Sequence, residues 1–426
     1  MRKFDPRVAA FELLLTVFHD QRPFDDALAL HRGLATMEPR DRALARLLAA
    51  TVLRRAPELD AIIAPLLNKK LRGRAAPVQQ LLRLGAAQFV FLGTPAHAVV
   101  ATTVAAAQIA GHRAYKGLIN AVLRRLTREG ATPAAEPGRL NTPDWLWRSW
   151  VADHGAARAT AIADAHLTEA PLDITVKSDA AGWAEKLDAT VLPTGTLRRS
   201  AGGDIRALPG FADGAWWIQD AAAALPARLL GPVAGQKIAD LCAAPGGKTA
   251  QLAAAGADVF AVDSSATRIK QLDENMRRLK LNVRLVAADA TTWRPNEALD
   301  AVLVDAPCSG TGTIRRHPDI ARLKRSGDVR RLCALQDKLL AHATTLLRPG
   351  GLLVYATCSL QAEEGAVRIE RLLAQGAPLA RVPVESDEVP GLEVAITDAG
   401  DLRTLPTHWP EAGGLDGFFI ARLRRL

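Results

Sequence analysis

Two cysteines stand where their type and setting allow chemistry. Cys308 lies in DAPCSGTGT and Cys358 in YATCSL fifty residues later, each just past an apolar run and followed by serine. A thiolate can add to the electron-poor sixth carbon of a pyrimidine. The addition makes the fifth carbon nucleophilic, able to take a methyl group from a sulfonium, and a base must then remove the fifth-carbon proton so that the thiol can leave. That chemistry needs a nucleophilic thiol, a donor at the N3 face of the ring and a base. Cys308, Cys358 and Asp305 supply those types, and the residues alone leave open which thiol attacks. A thiol is competent only as thiolate, which a helix N-terminus or a nearby cation favours; Lys248, Arg315 and Arg316 are the candidate cations. The competing reading is a small buried hydrophobe, and Cys333, within an amphipathic helical stretch, is read that way. No CxxC pair or Cys–His spacing suggests a disulfide framework or a metal site. Free thiols fit a reducing cytosol, so a cytoplasmic protein is expected.

A second cluster is DLCAAPGGKT, Asp240–Thr249, which closes an apolar run and opens a helix. Gly246 and Gly247 let the backbone approach a ligand, and the helix start favours a negative group. The loop is neither GxGxxG nor a P-loop. Asp263 closes the next apolar run, where a carboxylate can accept from ribose hydroxyls. Asp289 closes the third and is placed to meet an adenine edge. Cys242 is read as packing in the loop and offering backbone rather than sulfur. These parts suit a nucleoside cofactor without a long phosphate chain, such as S-adenosylmethionine; a dehydrogenase loop or an unliganded turn is the alternative.

These residues need a scaffold. KIADLC, ADVFAVD, VRLVAAD, LDAVLVDAPC and GLLVYATCS are continuous apolar runs separated by helical stretches, the pattern of a parallel sheet covered on both faces. Ligands bind at the carboxyl ends of such strands, where the Asp and Cys residues fall. The first third reads as helices, with Val8, Phe11, Leu15 and Phe18 at helical spacing. ATPAAEPGRLNTP breaks that pattern as a linker, and PLDITVKS and GAWWIQDAAA suggest a small mixed module. The domains expected are therefore 1–130 helical, 131–143 linker, 144–225 a small α+β module and 226–426 the α/β domain. Leu84–Gly111 carries no charged residue, but Gly93–Pro95 reads as a turn, so two buried helices are expected rather than a membrane span.

The net charge of +9 is uneven: residues 1–130 hold 20 Lys+Arg against 10 Asp+Glu. That bias points to a polyanion, most simply nucleic acid, with a solvated basic helical surface as the alternative. RRHPDIARLKRSGDVRR (Arg315–Arg331) is read as a flexible basic loop beside the thiols that holds substrate phosphates, or as a solvated helix face. His317 within it is a candidate base or a structural histidine. No self-complementary surface is legible, so a monomer is expected.

Taken together, DLCAAPGGKT, DAPCSGTGT, RRHPDI and ATCSL resemble the Nop/Sun family of RNA (cytosine-5) methyltransferases. PAHAVVATTVAAAQ and YKGLINAVLRRL resemble the NusB-like RNA-binding domain fused to its 16S ribosomal RNA branch. The resemblance implies a multidomain chain: an all-α NusB-like domain, a ferredoxin- or RRM-like module and a class I (Rossmann-like) methyltransferase domain whose last, antiparallel strand is DGFFIARLRR. It implies S-adenosylmethionine held by Cys242, Ala243, Ala244, Pro245, Gly246, Gly247 and Lys248, with Asp263 on the ribose, Asp289 on the adenine and Asp305 beside the sulfonium and target base. It also implies the order that the residues left open: Cys358 attacks and Cys308 assists release, giving 5-methylcytosine in 16S ribosomal RNA. Transfer RNA, another ribosomal site and a catalytically silent assembly factor are the alternatives. One departure is Gly365 after Glu363–Glu364, where members carry Asn; a helix cap tolerates that exchange.

Overall fold

The computed structural model describes residues 5–426. The chain forms two compact units, Met1–Thr168 with Ile314–Lys324, and Glu169–Thr313 with Arg325–Leu426.

The first unit is helical. Asp5 caps its opening helix, Pro6–Phe18, by accepting from the backbone N–H groups of Arg7 and Val8. The charge-free run divides at the expected turn into the helices Val78–Val90 and Ala96–Ile109. No helix among the described residues is long and apolar enough to cross a membrane. Leu13, Leu14, Leu48, Leu53, Leu81 and Leu82 form the fully buried centre.

Two stretches differ from expectation. The helical unit continues past 130 through Pro137–Asn141, Asp144–His154 and Ala156–Ala165. Asn141 explains this: its side chain donates to buried Glu58 at 3.0 Å and accepts from the Glu58 N–H, so the proline-rich stretch is packed rather than a free linker. The start of the basic stretch is also folded. Asp319 accepts from the Phe24 N–H at 3.0 Å, Arg322 donates to the carbonyls of Leu53 (3.1 Å) and Asn141 (2.6 Å), and Arg54 donates to the Arg315 carbonyl at 2.9 Å. Residues Ile314–Lys324 therefore belong to the helical unit, with the Arg322 guanidinium spent on its backbone carbonyls, and Ser326–Leu346 is an ordinary helix of the other unit. His317 pairs with Asp25 at 3.2 Å in the same helical unit.

The second unit begins with a four-stranded antiparallel sheet of β1 (Leu172–Val176), β2 (Thr190–Val191), β3 (Leu197–Arg199) and β4 (Trp216–Ile218), in the order β2-β3-β1-β4. A buried ion pair sits in it: Asp173 holds Arg198 through two 2.7 Å bonds and also accepts from the Ala221 N–H at 3.0 Å. The main sheet follows, with β5 (Lys237–Leu241), β6 (Asp258–Asp263), β7 (Arg284–Ala287), β8 (Leu299–Asp305), β9 (Leu347–Thr357), β10 (Leu379–Arg381), β11 (Leu402–Thr404) and β12 (Phe418–Arg425). Its order is β10-β12-β9-β8-β5-β6-β7, with β11 on β12. The five expected parallel strands are β5 to β9, and the expected closing strand, β12, runs antiparallel to β9. Ile238, Val302, Leu303, Val304 and Leu353 are wholly buried, because helices cover both faces and leave no polar side to alternate toward.

Replacing Asp173 by Ala strands Arg198 without its carboxylate inside the small module. The expected loss is about 3–5 kcal/mol, read as a lower denaturant midpoint for the second unit in urea titration.

Candidate active site

The site residues lie at the carboxyl ends of β5 to β9. After β5 the chain turns sharply: Cys242 has φ +64°, Gly246 has φ +107°, and the Ala244–Pro245 bond is cis. Gly246 needs its missing side chain twice over, since its φ is left-handed and a Cβ there would lie 3.1 Å from Leu272 and 3.2 Å from Met276. The helix Gly247–Ala254 then carries Lys248, which is buried and donates to Asp305 Oδ2 at 2.7 Å. Burial alone would lower the Lys248 pKa, but the charge and hydrogen bond of Asp305, with Asp240 behind, hold it above the usual lysine value.

Asp240 lies beneath this loop with no solvent exposure. Its Oδ2 accepts from Thr249 Oγ1 at 2.6 Å, while Oδ1 has no partner among the described residues. Burial raises its pKa to about 7 against the Thr249 bond, helped by the charges of Asp305 and Asp263. Asp263 is also buried; it accepts from the Ser265 N–H at 2.9 Å and pairs with Arg268 at 2.9 Å. Burial, with Asp305, Asp263 and Asp240 around it, pushes the Cys242 thiol up to about 12, so that sulfur stays protonated and is no nucleophile. Asp289 is exposed in a turn, accepting from the N–H (2.8 Å) and hydroxyl (2.7 Å) of Thr291, bonds that lower its pKa.

The two thiols meet. β8 and β9 are parallel neighbours with Asp305 opposite Ala356, and the Ala306 N–H continues the ladder to the Ala356 carbonyl at 2.9 Å. Cys308 and Cys358 leave these strand ends together, Sγ to Sγ 3.4 Å. The Cys308 pKa is raised well above the ordinary thiol value by the hydrogen bond to Cys358, by burial and by the nearby charges of Cys358 and Glu364. Of the three candidate cations, Lys248 is the one paired with Asp305; Arg315 and Arg316 fall in the segment that folds with the helical unit. Cys333 is a buried residue of the helix Ser326–Leu346, as read from its sequence, and donates to the Glu363 carbonyl at 3.3 Å.

Gly365 has a spatial explanation. A Cβ there would lie 2.6 Å from the Arg403 guanidinium and 2.8 Å from the Phe419 ring, and Arg403 donates to the Ser359 carbonyl beside Cys358 at 2.5 Å. Arg403 fills the room a side chain at 365 would need. Two further residues carry no sequence signal: Glu364, inside an acidic pair that reads as surface, and Gln336, inside an amphipathic helix. Both are fully buried against the thiol segments.

This sheet order, with a reactive loop at each strand end and a helical unit encoded beside it, defines an α/β methyltransferase coupled to a NusB-type helical domain. The comparisons agree with that class. Residues 227–424 match the 16S rRNA methyltransferase RsmB/F family, and residues 5–128 match the NusB family. The chain is 35% identical to the ribosomal RNA small subunit methyltransferase B of Vibrio cholerae over 93% of this chain and 92% of that one. It is also 35% identical to the protein of the same name in Pseudomonas putida, with 99% of each chain covered. Among solved structures, PH0851 superposes with TM-score 0.79 at 22% identity, covering 99% of this chain and 98% of its own. A methyltransferase homologue from Pyrococcus horikoshii reaches 0.55 at 26% identity, covering 71% and 98%. The chain belongs to the 16S rRNA methyltransferase RsmB/F family, whose methyl donor is S-adenosylmethionine. The residues present are compatible with that donor: Asp289 is an exposed carboxylate acceptor, Asp263 lies at the end of the neighbouring strand, and Asp240, Asp263 and Asp305 make acidic surroundings that suit a cation.

Because Asp240 is protonated in the folded chain over a pH range where it is ionised in the unfolded one, the folded state binds the extra proton there. Its contribution to stability is therefore lost as pH rises from about 4 to about 7. Asp240→Asn removes that dependence. Between pH 4.5 and 7.5 the wild type is expected to lose about 3 kcal/mol relative to the variant, in denaturant titrations at each pH.

Proposed function

We propose that this chain methylates the fifth carbon of a cytosine in 16S ribosomal RNA through two thiols with separate duties. The observation that carries this reading is the 3.4 Å Cys308–Cys358 pair at adjacent strand ends, beside Asp305 and Lys248. A single thiol suffices for addition, so a second thiol in contact implies a second task.

Cys358 is the nucleophile. Lys248 lies within electrostatic reach of it, while Cys308 is held protonated by Cys358, burial and Glu364. A Cys358 thiolate adds to the sixth carbon and places electron density on the fifth. S-adenosylmethionine would be held by Cys242, Ala243, Ala244, Pro245, Gly246, Gly247 and Lys248 with Asp263 and Asp289, and would supply the methyl group to the fifth carbon, its S–CH3 bond breaking to leave S-adenosylhomocysteine. Asp305, held by Lys248, lies beside the ring and orients it; its carboxylate in an acid-rich pocket also favours a cationic donor. Cys308 then assists elimination. Once Cys358 is bonded to carbon it no longer holds Cys308 protonated, and Cys308 yields its proton to solvent. As thiolate, Cys308 takes the fifth-carbon proton, the bond from Cys358 to the sixth carbon breaks, and the electron pair returns to the Cys358 sulfur. The basic bias of residues 1–130 and their NusB match support RNA as the substrate, bound through phosphates.

The test uses wild type, Cys358→Ala and Cys308→Ala with 16S RNA and labelled methyl donor, read on denaturing gels and by bisulfite sequencing. Cys358→Ala is expected to lose both the protein–RNA adduct and methylation, and Cys308→Ala to accumulate the adduct. The reverse pattern exchanges the two roles, and full methylation by both variants ends the thiol reading.

A further inference from the structure

The thiol pair depends on a residue that the reaction itself does not call for. Glu364 has no solvent exposure, and its carboxylate accepts four hydrogen bonds. Oε1 takes the Ser309 N–H at 2.9 Å and Gln336 Nε2 at 3.2 Å; Oε2 takes Ser359 Oγ at 2.6 Å and Ser309 Oγ. Its backbone carbonyl accepts from Tyr355 Oη at 2.8 Å and Thr357 Oγ1 at 3.3 Å, which ties it to β9. Gln336 also donates to the Pro307 carbonyl at 2.9 Å. Pro307 and Ser309 flank Cys308, and Thr357 and Ser359 flank Cys358. Each of these four neighbours is bonded to Glu364 or Gln336.

The donor set matches the residue. A carboxylate accepts and never donates, and it meets two N–H groups that cannot accept and two hydroxyls that can turn. Burying such a group is costly unless every partner is in place, so the network tolerates few arrangements of the two segments. We propose that Glu364 is a positioning residue for methyl transfer: its carboxylate clamps the Pro307–Ser309 and Thr357–Ser359 segments together and so fixes the separation of the two thiols. This rests on the two-thiol reaction above, and it assigns Glu364 no contact with the base or the methyl donor.

Substitutions grade the clamp. Glu364→Gln keeps an oxygen for the two N–H groups and turns its amide toward the hydroxyls, restoring part of the network. Glu364→Asp is one methylene too short to span both serines, and Glu364→Ala leaves the donors unmet. Glu363→Gln, whose side chain is exposed, is the control.

Thiol separation can be read without RNA. Diamide takes two electrons and two protons from the thiol pair and becomes the hydrazine as the sulfur–sulfur bond forms; the Cys308–Cys358 peptide is then quantified by mass spectrometry. With the full chain, coupling is expected to slow at least tenfold in Glu364→Ala and less in Glu364→Gln. The kcat for methylation should fall in the same order, about 100-fold for Ala, while calorimetric affinity for S-adenosylmethionine stays within about twofold, because all its residues but Asp305 lie on other loops and Asp305 is held by Lys248 rather than by the clamp. Where the Ala chain fails to bind the donor, the Gln and Asp variants carry the same comparison. Wild-type coupling and wild-type kcat in chains that bind donor overturn the proposal. Slowed coupling with unchanged kcat supports the clamp and instead overturns the two-thiol reaction.

Discussion

The register of two parallel strands governs the site. β8 and β9 are neighbours with Asp305 opposite Ala356, so loops leaving their carboxyl ends start side by side. A shift of one residue would turn every side chain of a strand to the other face, and both strands are buried on each face by residues such as Val302, Leu303, Leu353 and Val354. The packing that fixes the sheet thereby fixes where the thiols emerge. Two cysteines fifty residues apart thus leave adjacent strand ends and meet at 3.4 Å.

The charges around the pair follow from the same placement. Asp240, Asp263 and Asp305 stand at three strand ends, and all three act on Cys242 to keep its sulfur protonated. Lys248 meets Asp305 because the helix after the glycine turn starts under the β8 end. One loop therefore offers backbone and a cation, and the adjacent loops offer sulfur. Reactivity is divided among the cysteines by surroundings rather than by residue type, since Cys242, Cys333 and Cys308 are each raised for a different combination of burial and neighbouring charge.

Much of this was legible from residue order. Strands β5 to β9 announce themselves because a parallel sheet covered on both faces must be apolar throughout, and the reactive residues follow because ligands bind at strand ends. Cys308 and Cys358 read as equivalent strand-end residues, but their contact depends on the strand order, which places β8 beside β9. The stretch Ile314–Lys324 reads wrongly as a flexible basic loop or solvated face, because an arginine that satisfies buried carbonyls, as Arg322 does for Leu53 and Asn141, has the same letter as one in solvent. The proline-rich stretch after residue 130 misled in the same way: Asn141 reads as a turn residue, yet its amide is the partner that buried Glu58 requires. Glu364 was hidden by its own type, since a buried carboxylate is uncommon and its donors come from three separate segments.

The central claim, that Cys358 rather than Cys308 bonds to the base, is tested most directly with 16S RNA containing 5-fluorocytosine. Fluorine at the fifth carbon leaves no proton to remove, so elimination stalls and the adduct persists. Protease digestion and mass spectrometry of that adduct should find the nucleotide on the peptide bearing Cys358. A nucleotide on the Cys308 peptide would contradict the account.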